Sequence, residues 1–147
     1  MLSLENIQKI CIESCVSTLG MLGISVSPGA KESFTGDCLQ IQIHLQGDLD
    51  GYVILEIDEE CACKIANTMT QGMMQINCID DMCKSILGEL CNMISGNFST
   101  RLSELGFASD IKPPYVSIQH PIRNGSGISL CQDSNKLLNS YFIARPV

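Results

Sequence analysis

The sequence predicts an α/β fold of the α+β kind, with two or three helices packed on a mostly antiparallel β-sheet. Three observations carry that expectation. Residues 39–45 alternate apolar and polar side chains, and a short turn leads from them into a second strand-like run at 52–57. Helical spacing appears at the start of the chain and again over a long stretch in its middle. Extended segments return after Pro113-Pro114, so strands and helices come in groups rather than in strict alternation. A chain of 147 residues is expected to form one domain, 1–147, since that length buries about 70% of its unfolded surface without staples.

Residues 3 to about 21 read as a helix, with Leu4, Ile7, Cys11 and Cys15 at helical spacing and Gly20 or Gly23 ending it. Ser27-Pro28-Gly29 is a turn signal within 24–37, read as loop with at most a short strand. Leu39, Ile41, Ile43 and Leu45 alternate with Gln40, Gln42 and His44, the mark of a half-buried strand. Gly47 to Gly51 then turns the chain into Tyr52–Ile57, a hairpin with a loop longer than the tightest two-residue type. Asp58 is placed to cap a helix, with Glu59 and Glu60 in its first turn; it runs to about Thr70 and breaks at Gly72. Asp80-Asp81 opens the longest element, which ends at Glu104 with Gly106 as the residue just past the cap. Pro113-Pro114 forces extended backbone into a strand at Tyr115–His120. Gly125-Ser126-Gly127 reads as a hairpin turn, and Ile128–Cys131 and Tyr141–Arg145 as two further short strands.

Composition excludes several function classes. Hydrophobic residues make up 45% and charged residues 17%, which is incompatible with intrinsic disorder. Nine Lys+Arg against sixteen Asp+Glu give a net charge of −7, with the basic residues dispersed. A nucleic-acid binder needs a basic stripe, and an acidic surface repels anionic lipid, so neither nucleic acid nor membrane is an expected partner. There is no 18-residue apolar run, and the opening MLSLENIQK fits neither a secretory signal nor a transit peptide, so a cytoplasmic location is expected. The nine cysteines are odd in number and contain no C-x-x-C pair, and there are only two histidines, His44 and His120. Reduced, buried, inert thiols are expected, with no metal site. Both histidines read as surface or hydrogen-bonded structural groups, and Met69, Met73, Met74 and Met93 as core filler.

The long helix carries the informative pattern. At about 100° per residue, Met82, Ile86, Leu90, Met93, Ile94 and Leu105 fall on one side. Asp81, Ser85, Glu89, Asn92, Gly96, Ser99 and Ser103 fall within roughly 40° of the opposite direction. This second face is polar or small throughout and has no Lys or Arg, unlike a solvated helix face with its i,i+4 ion pairs. It reads as a strip on which something docks. Asn97 and Arg101 fall towards the apolar side, where they can satisfy backbone groups or serve an interface, and Cys91, about 100° from Asn92, reads as packing. Glu89 and Asn92 point the same way, separated by roughly 4.5 Å of helix rise. A carboxylate accepts charge-assisted hydrogen bonds from a lysine, and a carboxamide holds a water by donating and accepting. Such a pair suits a substrate that is already activated and lacks only a positioned water.

The run Ser85-Ile86-Leu87-Gly88-Glu89-Leu90-Cys91-Asn92 resembles the signature of the CheC/CheX/FliY family of chemotaxis phosphatases. That signature has Ser or Asp, Glu four residues on, Asn three further, and a proline about 22 residues later. Pro114 follows Asn92 with 21 residues between them. Met93-Ile94-Ser95-Gly96-Asn97, the 47–57 hairpin, the single ExxN and the order of elements look like CheX over nearly the whole chain, which implies a CheC-like fold. The resemblance implies hydrolysis of the aspartyl-phosphate on a CheY-like receiver domain. Glu89 would contact the receiver's lysine, Asn92 would orient the attacking water, and Ser85 and Gly96 would let the receiver come close. Mg²⁺ would belong to the receiver, with no cofactor bound by this chain, and a homodimer built by sheet extension is implied. The alternative is a CheX-like module that binds a receiver or a flagellar or chemotaxis component without turnover.

Overall fold

In the structure, a computed structural model that describes residues 2–123 and 127–145, the alternating segment lies inside one antiparallel sheet. The elements in chain order are α1 (Leu4–Met21), β1 (Ser27–Ala30), β2 (Cys38–Gly47), β3 (Gly51–Ile57), α2 (Glu59–Met69), α3 (Asp81–Glu104), β4 (Ser109–Ile111), β5 (Tyr115–Gln119), β6 (Gly127–Gln132) and β7 (Asn135–Ala144). The strands order as β1-β6-β7-β3-β2-β4, with β5 also on β2. The hairpin pairs Leu39 with Ile57 and Leu45 with Gly51. The far edge of β2 is shared lengthwise, β5 covering Cys38–Gln42 and β4 covering Leu45–Gly47.

Alternation decides which face is the core. Leu39, Ile41, Ile43 and Leu45 of β2 and Val53, Leu55 and Ile57 of β3 are fully buried in one cluster with Cys15 and Leu19 of α1, Ile65 of α2 and Leu87, Ile94 and Phe98 of α3. The helices therefore cover one face. The other face is polar where segments 31–37 and 120–123 lie over it. Glu56 is fully buried there. It accepts hydrogen bonds from the Tyr141 hydroxyl at 2.7 Å and the Ile122 N–H at 2.6 Å. Burial, and then the Glu56 carboxylate, push the Tyr141 phenol above its ordinary range.

Two strand readings change. Tyr141–Arg145 is the second half of a ten-residue strand, Asn135–Ala144. Its first half, to which the sequence reading assigned no element, carries polar Asn135, Lys136, Asn139 and Ser140. In place, Asn139 accepts from Ser129 and donates to the Glu32 carbonyl, and Ser140 meets Cys15. The turn before it is Asp133-Ser134, with φ of 52° and 67°, the mirror-image two-residue hairpin turn without a glycine. The short strand allowed within 24–37 is β1, an outer strand, where proline is tolerated. Strand β4 was not expected at all. The hairpin turn read at Gly125-Ser126-Gly127 lies, apart from Gly127, outside the described residues. Gly127 itself opens β6, and β5 and β6 pair with different strands.

The helix starts agree with the sequence. Asp58 accepts from the Cys61 N–H and Asp80 from the Cys83 N–H, both at 2.8 Å. The methionine reading fails in part: Met73 is 87% exposed and Met74 is also exposed, while Met69 and Met93 are half-buried. Six cysteines are buried, Cys61 and Cys131 are half-buried, Cys78 is exposed, and none forms a disulfide. His44 is hydrogen-bonded to Asp50 and stacks on Tyr52, and exposed His120 pairs with Asp37. No helix among the described residues is long and apolar enough to cross a membrane.

Candidate functional site

Both ends of α3 are tied down. Asp80 caps its start, and at its end Gly106 takes φ +91° while the Phe107 N–H reaches back to the Leu102 carbonyl. The next residue joins the β2–β3 hairpin: Asp48 N–H donates to the Ala108 carbonyl, and Ala108 N–H donates to Asp48 Oδ2. Gly47 permits this approach, since a Cβ there would lie 2.5 Å from the Ala108 oxygen. Along its length α3 is held to α1, where Asn97 donates to Thr18 and accepts from Arg101 Nε, and Arg101 reaches Glu13. A helix fixed at both ends and along one flank is a rigid mount for a site.

The buried side of α3 consists of Cys83, Leu87, Gly88, Leu90, Cys91, Ile94, Ser95, Phe98 and Leu102. This corrects the apolar face read from the sequence by roughly a quarter turn. Leu90 and Ile94 are inside, but Met82 is 45% and Leu105 53% exposed, and Ile86 and Met93 are half-buried. The cause is size. The helix lies close to the sheet, so its inward face is built from cysteine, serine and glycine as well as large apolar groups, while Met82, Ile86 and Met93 flank the open side.

Rotating the core in this way puts Glu89 almost opposite it. Ser85 and Glu89 are exposed, and Asn92 and Gly96 are half-exposed. Among the described residues, the side-chain hydrogen bonds of α3 are made by Asp80, Asn97, Ser99 and Arg101, and none by Ser85, Glu89 or Asn92. A Cβ on Gly96 would meet nothing within 4 Å, so packing within the chain does not require glycine there. Asp81 and Ser103 are exposed too, but Ser99 leaves the strip: its hydroxyl donates to the Ser109 carbonyl at 3.1 Å and pairs with the Ser109 hydroxyl at 2.9 Å. Cys91, next to Asn92, is fully buried, and burial pushes its thiol up, so it is packing rather than a nucleophile.

One residue escaped the sequence reading. Gly88 is buried mid-helix, and a Cβ there would lie 3.4 Å from Pro114 Cγ and 3.5 Å from Val116 Cγ2. The available signal was the glycine itself, which costs about 1 kcal/mol against alanine inside a helix and so calls for a packing reason.

The profile of the family described as chemotaxis phosphatase CheX matches residues 39–128. The chain belongs to the CheX family. The matched region holds Ser85, Gly88, Glu89, Asn92, Gly96 and Pro114. The CheY-P phosphatase CheX of Thermotoga maritima is 36% identical over 74 residues, which span 50% of this chain and 47% of that protein. A CheC-like superfamily protein from Shewanella sp. PV-4 is similar in structure with a TM-score of 0.78 at 20% identity, covering 99% of this chain and 100% of that one. The CheX–CheY–BeF3–Mg²⁺ complex from Borrelia burgdorferi matches with a TM-score of 0.74 at 23% identity, covering 94% and 97%. At such identities the structural likenesses establish the CheC-like fold alone, which among the described residues is three helices on a seven-stranded antiparallel sheet.

Proposed function

We propose that this protein is a phosphatase of an aspartyl-phosphate on a CheY-like receiver domain, working in the cytoplasm. The observation that carries the reading is the placement of Glu89 and Asn92: one turn apart, on the open side of a rigid helix, with no side-chain hydrogen-bond partner among the described residues. The family supports it, as does the relative from Thermotoga maritima, whose name is CheY-P phosphatase. In the reaction, water attacks phosphorus in line, the P–O bond to the aspartate breaks, and inorganic phosphate and a free carboxylate leave. Glu89 accepts hydrogen bonds from the receiver's lysine, and the Asn92 carboxamide holds the water on the attack line. Mg²⁺ comes with the receiver and offsets charge on the phosphoryl oxygens. Ser85 and Gly96 leave room for the receiver's loops beside the pair.

A homodimer fits the same picture. Among the described residues β5 pairs with β2 alone and carries Tyr115 and Ile118, 62% and 52% exposed, and a free edge of this kind accepts another strand.

The test is decay of a phosphorylated receiver with and without the protein. The parent accelerates decay, and Asn92→Ala loses ~10²–10³ of that acceleration, as removal of one preorganised hydrogen-bonding group typically does. Binding without acceleration by the parent would mean occupancy rather than catalysis, and an Asn92→Ala variant as fast as the parent would remove the water-positioning role.

A further inference from the structure

We propose that Met82 and Ile86 select the receiver that this protein accepts, by requiring an apolar patch beside the receiver's acyl phosphate; this rests on the phosphatase reading of the same helix. On a helix surface the neighbours of Glu89 are the residues three and four away, Ser85, Ile86, Asn92 and Met93. Met82 stands one turn before Ile86. Ser85 and Asn92 fall roughly 40–60° to one side of Glu89, and Met82, Ile86 and Met93 roughly 20–60° to the other. The surface around Glu89 is therefore two-sided. One flank is small and polar, and the other carries large apolar side chains.

The apolar flank reaches solvent. Met82 is 45% exposed, and Ile86 and Met93 are half-buried. A lone surface methionine is ordinary, but these side chains adjoin the carboxylate that meets the partner. Neighbours at such spacings have Cβ atoms about 5–6 Å apart, so a molecule that reaches Glu89 also covers Ile86 and Met93. A polar surface laid over them loses its water and gains no partner, whereas an apolar one gains by burial. Glu89 and Asn92 address the reacting groups, which every receiver with this chemistry presents alike, so they do not tell receivers apart. The cations of α3, Lys84 and Arg101, fall roughly 120–140° from Glu89, so none shares this side. Discrimination is left to the apolar flank. Its backbone is set before a partner arrives, because Met82 lies in the turn where Asp80 accepts from the Cys83 N–H at 2.8 Å. The unbranched methionine side chain then adapts to the surface it meets.

Decay kinetics with two phosphorylated receivers test this, one apolar and one acidic on the surface next to the phosphorylated aspartate. With the apolar receiver, Met82→Gln raises KM roughly fivefold at constant kcat, as loss of a contact made equally in ground and transition states does, and Met82→Leu keeps the parental KM. Met82→Lys shifts the kcat/KM ratio of the two receivers roughly tenfold towards the acidic one. Calorimetry with the beryllofluoride- and Mg²⁺-loaded apolar receiver reads the same loss of affinity in Met82→Gln without turnover, so the contact is measured even if the protein binds and does not hydrolyse. An unchanged KM in Met82→Gln, while the parent accelerates decay, overturns the proposal and leaves the phosphatase reading standing. Equal losses with both receivers also overturn it, since the flank then binds without selecting. So does a Met82→Gln variant that keeps the parental KM but sediments as a monomer where the parent is a dimer, which assigns the flank to a second copy. A parent that neither binds nor accelerates decay removes both readings.

Discussion

Glu89 and Asn92 have different tasks on the proposed reading, and single substitutions separate them. Glu89 makes the only charged contact of the pair. Glu89→Ala therefore weakens binding to a receiver loaded with a phosphoryl mimic by about 1.5–3 kcal/mol, the range for a hydrogen bond to a charged group. Calorimetry with the Mg²⁺-loaded partner measures this, and unchanged affinity would refute the lysine contact. The thiols make a second test at this scale. Burial raises Cys38, Cys83 and Cys91 and keeps them neutral, whereas Cys78 is exposed. Under native conditions a thiol reagent labels Cys78 first, and peptide mass spectrometry locates the label; earlier modification of Cys91 would contradict its burial.

At the scale of the element, α3 shows what close approach to a sheet demands and what it costs. Ser95 is fully buried, and its hydroxyl has no hydrogen-bond partner among the described residues. Ser95→Ala removes an unsatisfied group and improves helix propensity, so it stabilises the fold by about 1 kcal/mol in urea unfolding. A loss of stability would mean the hydroxyl has a partner. Asp80→Ala acts in the other direction. It deprives the Cys83 N–H of its acceptor and costs about 1 kcal/mol by the same measurement.

For the whole molecule, the buried thiols set the alkaline limit of stability. In the unfolded chain a cysteine ionises near 8.5. In the fold, burial and then the Glu56 carboxylate push Cys38 up to about 12, and burial with Cys63 and Asp80 nearby pushes Cys83 up to about 11. Between those values the unfolded state has released protons that the folded state retains, so stability is fully present below the unfolded value and falls as pH rises through the window. Urea midpoints from pH 8 to 11 should decline, and Cys83→Ala should flatten the decline. An unchanged slope would show that Cys83 ionises alike in both states.

Much of this protein was legible from local signals. Asp58 and Asp80 announced their helices because a cap is made within three residues. The β2–β3 hairpin was visible because alternation and turn sit in one stretch of chain. The ExxN pair was visible because one helical turn places Glu89 and Asn92 on the same side. Other features depended on contacts between residues far apart. The first half of β7 gave no strand signal because its polar groups are satisfied only by Glu32, Ser129 and Cys15, far away in the chain. Which side of α3 is buried depended on what packs against it, and there buried Gly88 faces Pro114 and Val116, distant in sequence. The same packing joined Ser99 to Ser109. Sequence alone named the carboxylate and the carboxamide, because their spacing is a property of any helix. Tertiary structure alone left Glu89 exposed and Asn92 half-exposed, because exposure is decided by what the rest of the chain covers.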